Sequence, residues 1–152
     1  MIRVALGGNR VVFVGSRYAV KLPRPWPLQR LRDGLQGNQM EADVWREGWA
    51  ELCPELCPVV GMLPFGVALI MPAVKIMSDD ELKVFRESDK FPDHHPDPEL
   101  YEDKPGEWGL LDGRPVIVDY DNRIYLDPDR INPLVRTLKD ARDSWVPPLP
   151  RK

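Results

Sequence analysis

Proline constrains this chain more than any other residue. Seventeen of its 152 residues are proline, which breaks helix interiors and is kept out of central strands. They cluster at Pro23 to Pro27, Pro54 to Pro64, Pro92 to Pro105 and in the tail after Val146. Regular elements must therefore be short and lie between these clusters. A chain of this length buries one core, and its 43% apolar content is ordinary for a globular domain. We expect one domain over residues 1–145 and a proline-rich tail at 146–152.

The first 22 residues read as strands. Val4 to Leu6 and Val11 to Val14 are β-branched runs separated by Gly7, Gly8 and Asn9, and Gly15-Ser16 turns the chain into Tyr18 to Leu22. From Arg30 to Leu52 the spacing becomes helical, with Met40, Val44 and Gly48, and Trp45 and Trp49, at intervals of four. Asn38, three residues before Glu41, has the spacing of a helix N-cap and capping box. Val59 to Met62 and Gly66 to Met71 suggest a hairpin through Pro64. Ser78 is placed to cap a short helix whose first turn carries Asp79, Asp80 and Glu81. Residues 90–105 read as loop. Asp112-Gly113 between Leu110-Leu111 and Val116 to Val118 signals a tight hairpin. Asn132 and Pro133 open a last helix reaching Ser144. Strands come first and helices are few, so the class is α+β with a largely antiparallel sheet.

Charge and hydropathy narrow the function. The net charge of −3 is spread over interspersed signs, which argues against a nucleic-acid surface, because phosphate backbones demand clustered Lys and Arg. The longest apolar run, Val67 to Val74, is too short to span a bilayer. The start of the chain lacks the apolar stretch of a signal peptide, so a cytoplasmic location is expected. Cys53 and Cys57 repeat a Leu-Cys-Pro unit, but a zinc site wants four ligands, and His94 and His95 stand in a distant proline-rich stretch. The two cysteines read as reduced thiols.

Three features stand in an informative order. A glycine-bearing hairpin precedes a strand ending Ala19-Val20-Lys21, a helix carrying Glu41 follows, and the hairpin from Trp108 to Val118 leads into Asp119-Tyr120-Asp121. This order resembles the protein-kinase-like superfamily, in particular its compact bacterial and phage branches. The resemblance covers residues 1–121 and rests chiefly on the Ala-Val-Lys strand and the Trp-Gly hairpin. It implies ATP and Mg²⁺ as ligands. Lys21 then matches the lysine that pairs with the nucleotide phosphates, Glu41 the glutamate that holds that lysine, and Asp119 a metal-ligating aspartate. Leu69 to Ala73, with Met71 and Ala73 at its centre, would form the hinge beside the adenine. Counting back from Pro105-Gly106, Glu102 stands where the family has its catalytic aspartate and Glu107 where it has a metal-binding asparagine.

The departures shape the expected function. Glutamates replace the usual Asp and Asn, Asp121 replaces the glycine after the Asp-Tyr pair, and the glycine-rich loop is reduced to Gly7-Gly8-Asn9. About 30 residues follow Asp121, too few for a substrate-binding helical lobe. Phosphoryl transfer depends on positioning and charge stabilisation, so these changes predict a pseudokinase that acts by binding a protein partner, with or without nucleotide. The alternative is a minimal ATP-dependent phosphotransferase using Lys21, Glu41, Asp119 and the acidic loop. A third reading is an interaction module without a nucleotide site, since five tryptophans provide contact material. The tail, Val146 to Lys152, fits a polyproline II ligand pattern.

Overall fold

Strand propensity and turn chemistry shape the N-terminal half of the computed structural model, which describes residues 1–91 and 106–120. The expected helix from Asn132, the proline-rich tail, Asp121 and Glu102 lie outside the described residues. Strands β1 (Arg3–Leu6), β2 (Arg10–Val14) and β3 (Tyr18–Pro23) form an antiparallel meander where the β-branched runs predict it. After helices α1 (Leu28–Arg46) and α2 (Trp49–Leu52), strands β4 (Gly61–Met62) and β5 (Leu69–Pro72) complete a five-stranded sheet in the order β1-β2-β3-β5-β4. The β4–β5 connection is a tight 3₁₀ turn over Pro64–Gly66.

A second sheet, not foreseen from sequence, joins β6 (Lys75–Ile76) to the hairpin of β7 (Trp108–Leu111) and β8 (Arg114–Ile117). Between them lies α3 (Asp79–Arg86), where Ser78 and Glu81 form a reciprocal capping box. The β7–β8 turn places Asp112 and Gly113 at φ of 52° and 80°, the left-handed pair that a tight hairpin requires. Pro115 is tolerated because β8 is an edge strand, where a missing N–H costs little. The class is α+β, with a five-stranded antiparallel sheet and a packed helix.

The long helix departs from the sequence reading. It begins at Leu28 after Pro27, with no side-chain cap, and breaks at Gly48, whose φ of 81° favours glycine. Asn38 is therefore no N-cap. It lies in mid-helix, fully buried, and its side-chain amide donates to the carbonyls of Lys21 at 3.0 Å and Gly66 at 2.8 Å. A buried amide must find partners, and these bonds tie α1 to β3 and to the turn before β5.

The helix lies this close because of Gly34. A Cβ there would come within 2.6 Å of the Asn9 carbonyl oxygen and 2.8 Å of Pro23 Cα, both backbone atoms. Gly34→Ala therefore should destabilise the fold by about 1–3 kcal/mol as overpacking. That outcome opposes the gain of roughly 1 kcal/mol that alanine brings to an open helix. Urea unfolding of the two proteins reads the sign directly.

The core joins α1, β5, α3 and the second sheet through Ala42, Leu56, Leu69, Met71, Leu82, Trp108, Val116, Ile117 and Tyr120. None of the helices among the described residues is long and apolar enough to cross a membrane.

Candidate functional site

Sheet register delivers the first half of the site. Val12 pairs with Lys21 and Arg10 with Pro23, so Arg10 and Lys21 project from the same face of neighbouring strands. That face is the one α1 covers, and both residues are buried at 7% and 6% exposure. Two desolvated cations require anionic partners. Glu41 is one: it lies one helical turn beyond Asn38 on the buried side of α1 and is 0% exposed. Lys21 Nζ donates to both Glu41 carboxylate oxygens at 2.8 and 2.7 Å, and Arg10 Nη1 donates to Glu41 Oε1 at 2.6 Å.

The second half arrives from β8. Past Ile117 the chain is clamped to the segment containing the two cysteines. Ile117 N–H donates to the Glu55 carbonyl at 2.7 Å, Cys57 N–H donates to the Ile117 carbonyl at 2.9 Å, and the Tyr120 hydroxyl donates to the Cys57 carbonyl at 2.9 Å. Burial pushes the tyrosine hydroxyl well above its usual range, so it stays a donor. Val118 N–H donates to the Glu107 carbonyl at 2.7 Å, and the Val118 carbonyl accepts from Lys21 Nζ at 2.5 Å. Held on both sides, Asp119 presents Oδ1 to Arg10 Nη2 and lies 3.8 Å from Lys21 Nζ. Burial alone would raise this carboxyl, but the charges of Lys21 and Arg10 outweigh it and hold it below the usual carboxylate range.

Lys21, Glu41 and Asp119, singled out from sequence, thus meet in one cluster. Among the described residues the cluster holds two cations and two carboxylates. Arg10 was missed, because it heads the β-branched run Val11 to Val14 without any signal of its own. Asn38, whose Oδ1 lies 3.5 Å from Arg10 Nη1, was misassigned as a cap.

The other named positions stand apart from this cluster in different ways. Met71 belongs to the hydrophobic core. The Ala73 N–H, which a hinge would offer to a ligand, donates to the Arg17 carbonyl at 2.9 Å. Glu107 is 7% exposed and adjoins the site through its backbone bond to Val118. The backbone of the segment holding Cys53 and Cys57, rather than the thiols, seats β8, and both side chains are buried in the core. Burial pushes Cys53 up to about 12 and Cys57 to about 11, so both remain protonated.

The described residues alone do not make a Mg²⁺ site. Among the described residues no three His, Cys, Asp or Glu side chains are grouped as metal ligands. Asp119 faces two cations at the point where a dication would sit, and Mg²⁺ demands six oxygens in near-octahedral array.

No family model matches the chain, and comparison with curated proteins and with solved structures returns no match.

Proposed function

We propose that this chain is a reduced kinase-like protein that acts by binding a protein partner, with or without nucleotide, and with phosphoryl transfer weak or absent. The observation that carries the reading is the two-pronged bond from Lys21 on the third strand to Glu41 on the following helix. A strand lysine held by a helix glutamate is the charge frame of the kinase nucleotide site. The chain order of glycine-bearing hairpin, lysine strand, glutamate helix and a later Asp-Tyr pair agrees with it.

Weak transfer follows from the same cluster. Catalysis of phosphoryl transfer needs an aspartate free to hold the metal that neutralises the phosphates, and Asp119 is engaged by Arg10. Action through a protein partner is supported by β1. This strand is one edge of the five-stranded sheet, and Val4 and Leu6 on it, with Ile2 just before it, are 57%, 72% and 69% exposed. An apolar edge strand that pairs on its outer side with no other strand among the described residues is suited to pairing with an extended segment of another protein.

The alternative of a minimal phosphotransferase keeps one supporting observation, the 3.8 Å approach of Lys21 Nζ to Asp119. ATP turnover with Mg²⁺ separates the two. The expected result is turnover no greater than that of Asp119→Asn. Clear turnover that Asp119→Asn abolishes would overturn the binding reading in favour of the enzyme.

A further inference from the structure

An antiparallel sheet with one packed face ordinarily turns apolar side chains toward the core and polar ones toward water. The five-stranded sheet departs from this. Its inner face, the one that α1 covers, carries Arg10 and Lys21. The register aligns Val4, Phe13, Val20 and Ile70 as one row across β1, β2, β3 and β5, and Leu6, Val11 and Leu22 as a second row. Directly paired residues share a face, as do residues two apart on one strand. Val11 and Val20 alternate with Arg10 and Lys21, so both rows stand on the outer face.

No residue of either row is charged, and none belongs to the hydrophobic core. On β5 the core takes Leu69 and Met71 and leaves Ile70, between them, on the other side. Val4, Leu6 and Phe13 are exposed. At the β4 end, a Cβ added to Gly61, which pairs with Ile70, would meet only Ile70 Cδ1 at 4.0 Å. The outer face is thus apolar across its width and uncovered at both ends. Faces of this kind mark contact sites.

A second copy of the chain meets the demands such a face makes. The occupant must bring no charge, because a charge pressed against these rows would lose its hydration without gaining a partner. The same face turned through a two-fold axis brings none. The occupant must also be broad and gently twisted, and two such sheets stack about 10 Å apart with their side chains interdigitating. Strands about 4.8 Å apart, rising about 3.4 Å per residue, give the four longer strands a flat outline of roughly 300–400 Å². With side-chain relief, two copies bury about 1,000 Å², the lower bound for a specific contact and the size of a reversible dimer.

We propose that the outer face of the five-stranded sheet is a homodimer interface, in which two copies stack these faces across a two-fold axis. The contact goes beyond the binding role proposed above. It needs no nucleotide, and it leaves the hydrogen-bonding edge of β1 outside the interface.

Sedimentation velocity from micromolar to submillimolar protein, without nucleotide, tests this on wild type, F13K, V4K and A5K. Wild type should pass from monomer to dimer as concentration rises. F13K and V4K each place an ammonium from both copies in the contact, so their dissociation constants should rise at least about tenfold. A5K is the control. Ala5 is also exposed on β1, but it alternates with Val4 and Leu6 and faces the other way, so A5K should dimerise as wild type does. Circular dichroism checks the fold of each variant, and V4K, on an edge strand, keeps the test readable if F13K misfolds. A wild type that stays monomeric throughout, whether residues 121–152 or nothing covers the face, overturns the proposal. So does a dimer that folded F13K or V4K leaves intact, or that A5K weakens as much, since the copies then pair through another surface. Failure of both face variants to fold would make the face part of the monomer's interior and overturn it as well.

Discussion

Replacing Glu41 with alanine should cost about 3–5 kcal/mol of folding stability, the range for breaking a buried ion pair by removing one partner. The reason lies in what remains. Arg10 and Lys21 side chains are 8% and 7% exposed, and neither can recover hydration without opening the seam between α1 and the sheet. Asp119 alone would face both cations from a half-exposed position. Taking charges away in pairs should hurt less. In Lys21→Met/Glu41→Leu, the arginine keeps Asp119 as its partner and the vacated region becomes apolar, a change that is often neutral or stabilising. Chemical denaturation of wild type, Glu41→Ala and the double variant gives the ordering. Should the double variant be less stable than Glu41→Ala, the cluster contributes more than compensated charge, and the desolvation argument fails.

Trp108→Ala should be comparably damaging, at about 3–5 kcal/mol for loss of a large buried aromatic side chain. Trp108 is 0% exposed, and its ring lies 5.4 Å from Phe85 and 5.8 Å from Phe91, centroid to centroid. Phe85 and Phe91 themselves meet edge to face at 5.4 Å. Offset and edge-on aromatic contacts of this kind add to the burial itself. The tryptophan also anchors β7, which aligns β8 and hence Asp119. Beyond the stability loss, Trp108→Ala should therefore weaken the bond between Arg10 and Asp119, and the added effect of Asp119→Asn should shrink in that background. A double-mutant cycle measures this coupling. Full additivity would show that the hairpin position is set without the aromatic cluster. Trp108→Phe, which keeps a ring against Phe85, should retain most of the stability.

Local rules reached far in this chain because many of its elements are set by neighbours in sequence. Asp112-Gly113 needs only its own backbone preference to form a tight turn, and Ser78 needs only Glu81 to cap α3. The β-branched runs defined the first three strands within a residue or two. Lys21, Glu41 and Asp119 were legible as candidates through the order of motifs around them. Their mutual contact comes from the packing of β3, α1 and the segment after β8, not from any pattern within one element.

The failures share one cause. Asn38 and Glu41 have the spacing of a capping box, and the same spacing equally puts both on one face of a helix. Only the presence of a sheet with buried cations beneath that face decides between the two. Arg10 heads the alternating run Arg10-Val11-Val12-Phe13-Val14, in which both faces are apolar beyond the first residue. Alternation defines two faces without saying which one α1 will cover. In the fold Phe13 is 38% exposed and Arg10 only 7%, the reverse of what hydropathy suggests. The second sheet escaped notice because β6 contributes two residues, too few for any period to register.

The sequence by itself determined the strands of the meander, the turns, the α3 cap and the candidate identities of Lys21, Glu41 and Asp119. Those depend on backbone preferences and side-chain bonds that act over three or four residues. The tertiary structure alone decided that Arg10 is buried, that it bonds a carboxylate 109 residues away, and that Asn38 is a tie rather than a cap. Burying a charge is costly unless an opposite charge arrives with it. Whether one arrives is settled by packing elements distant in the chain, which no local pattern encodes.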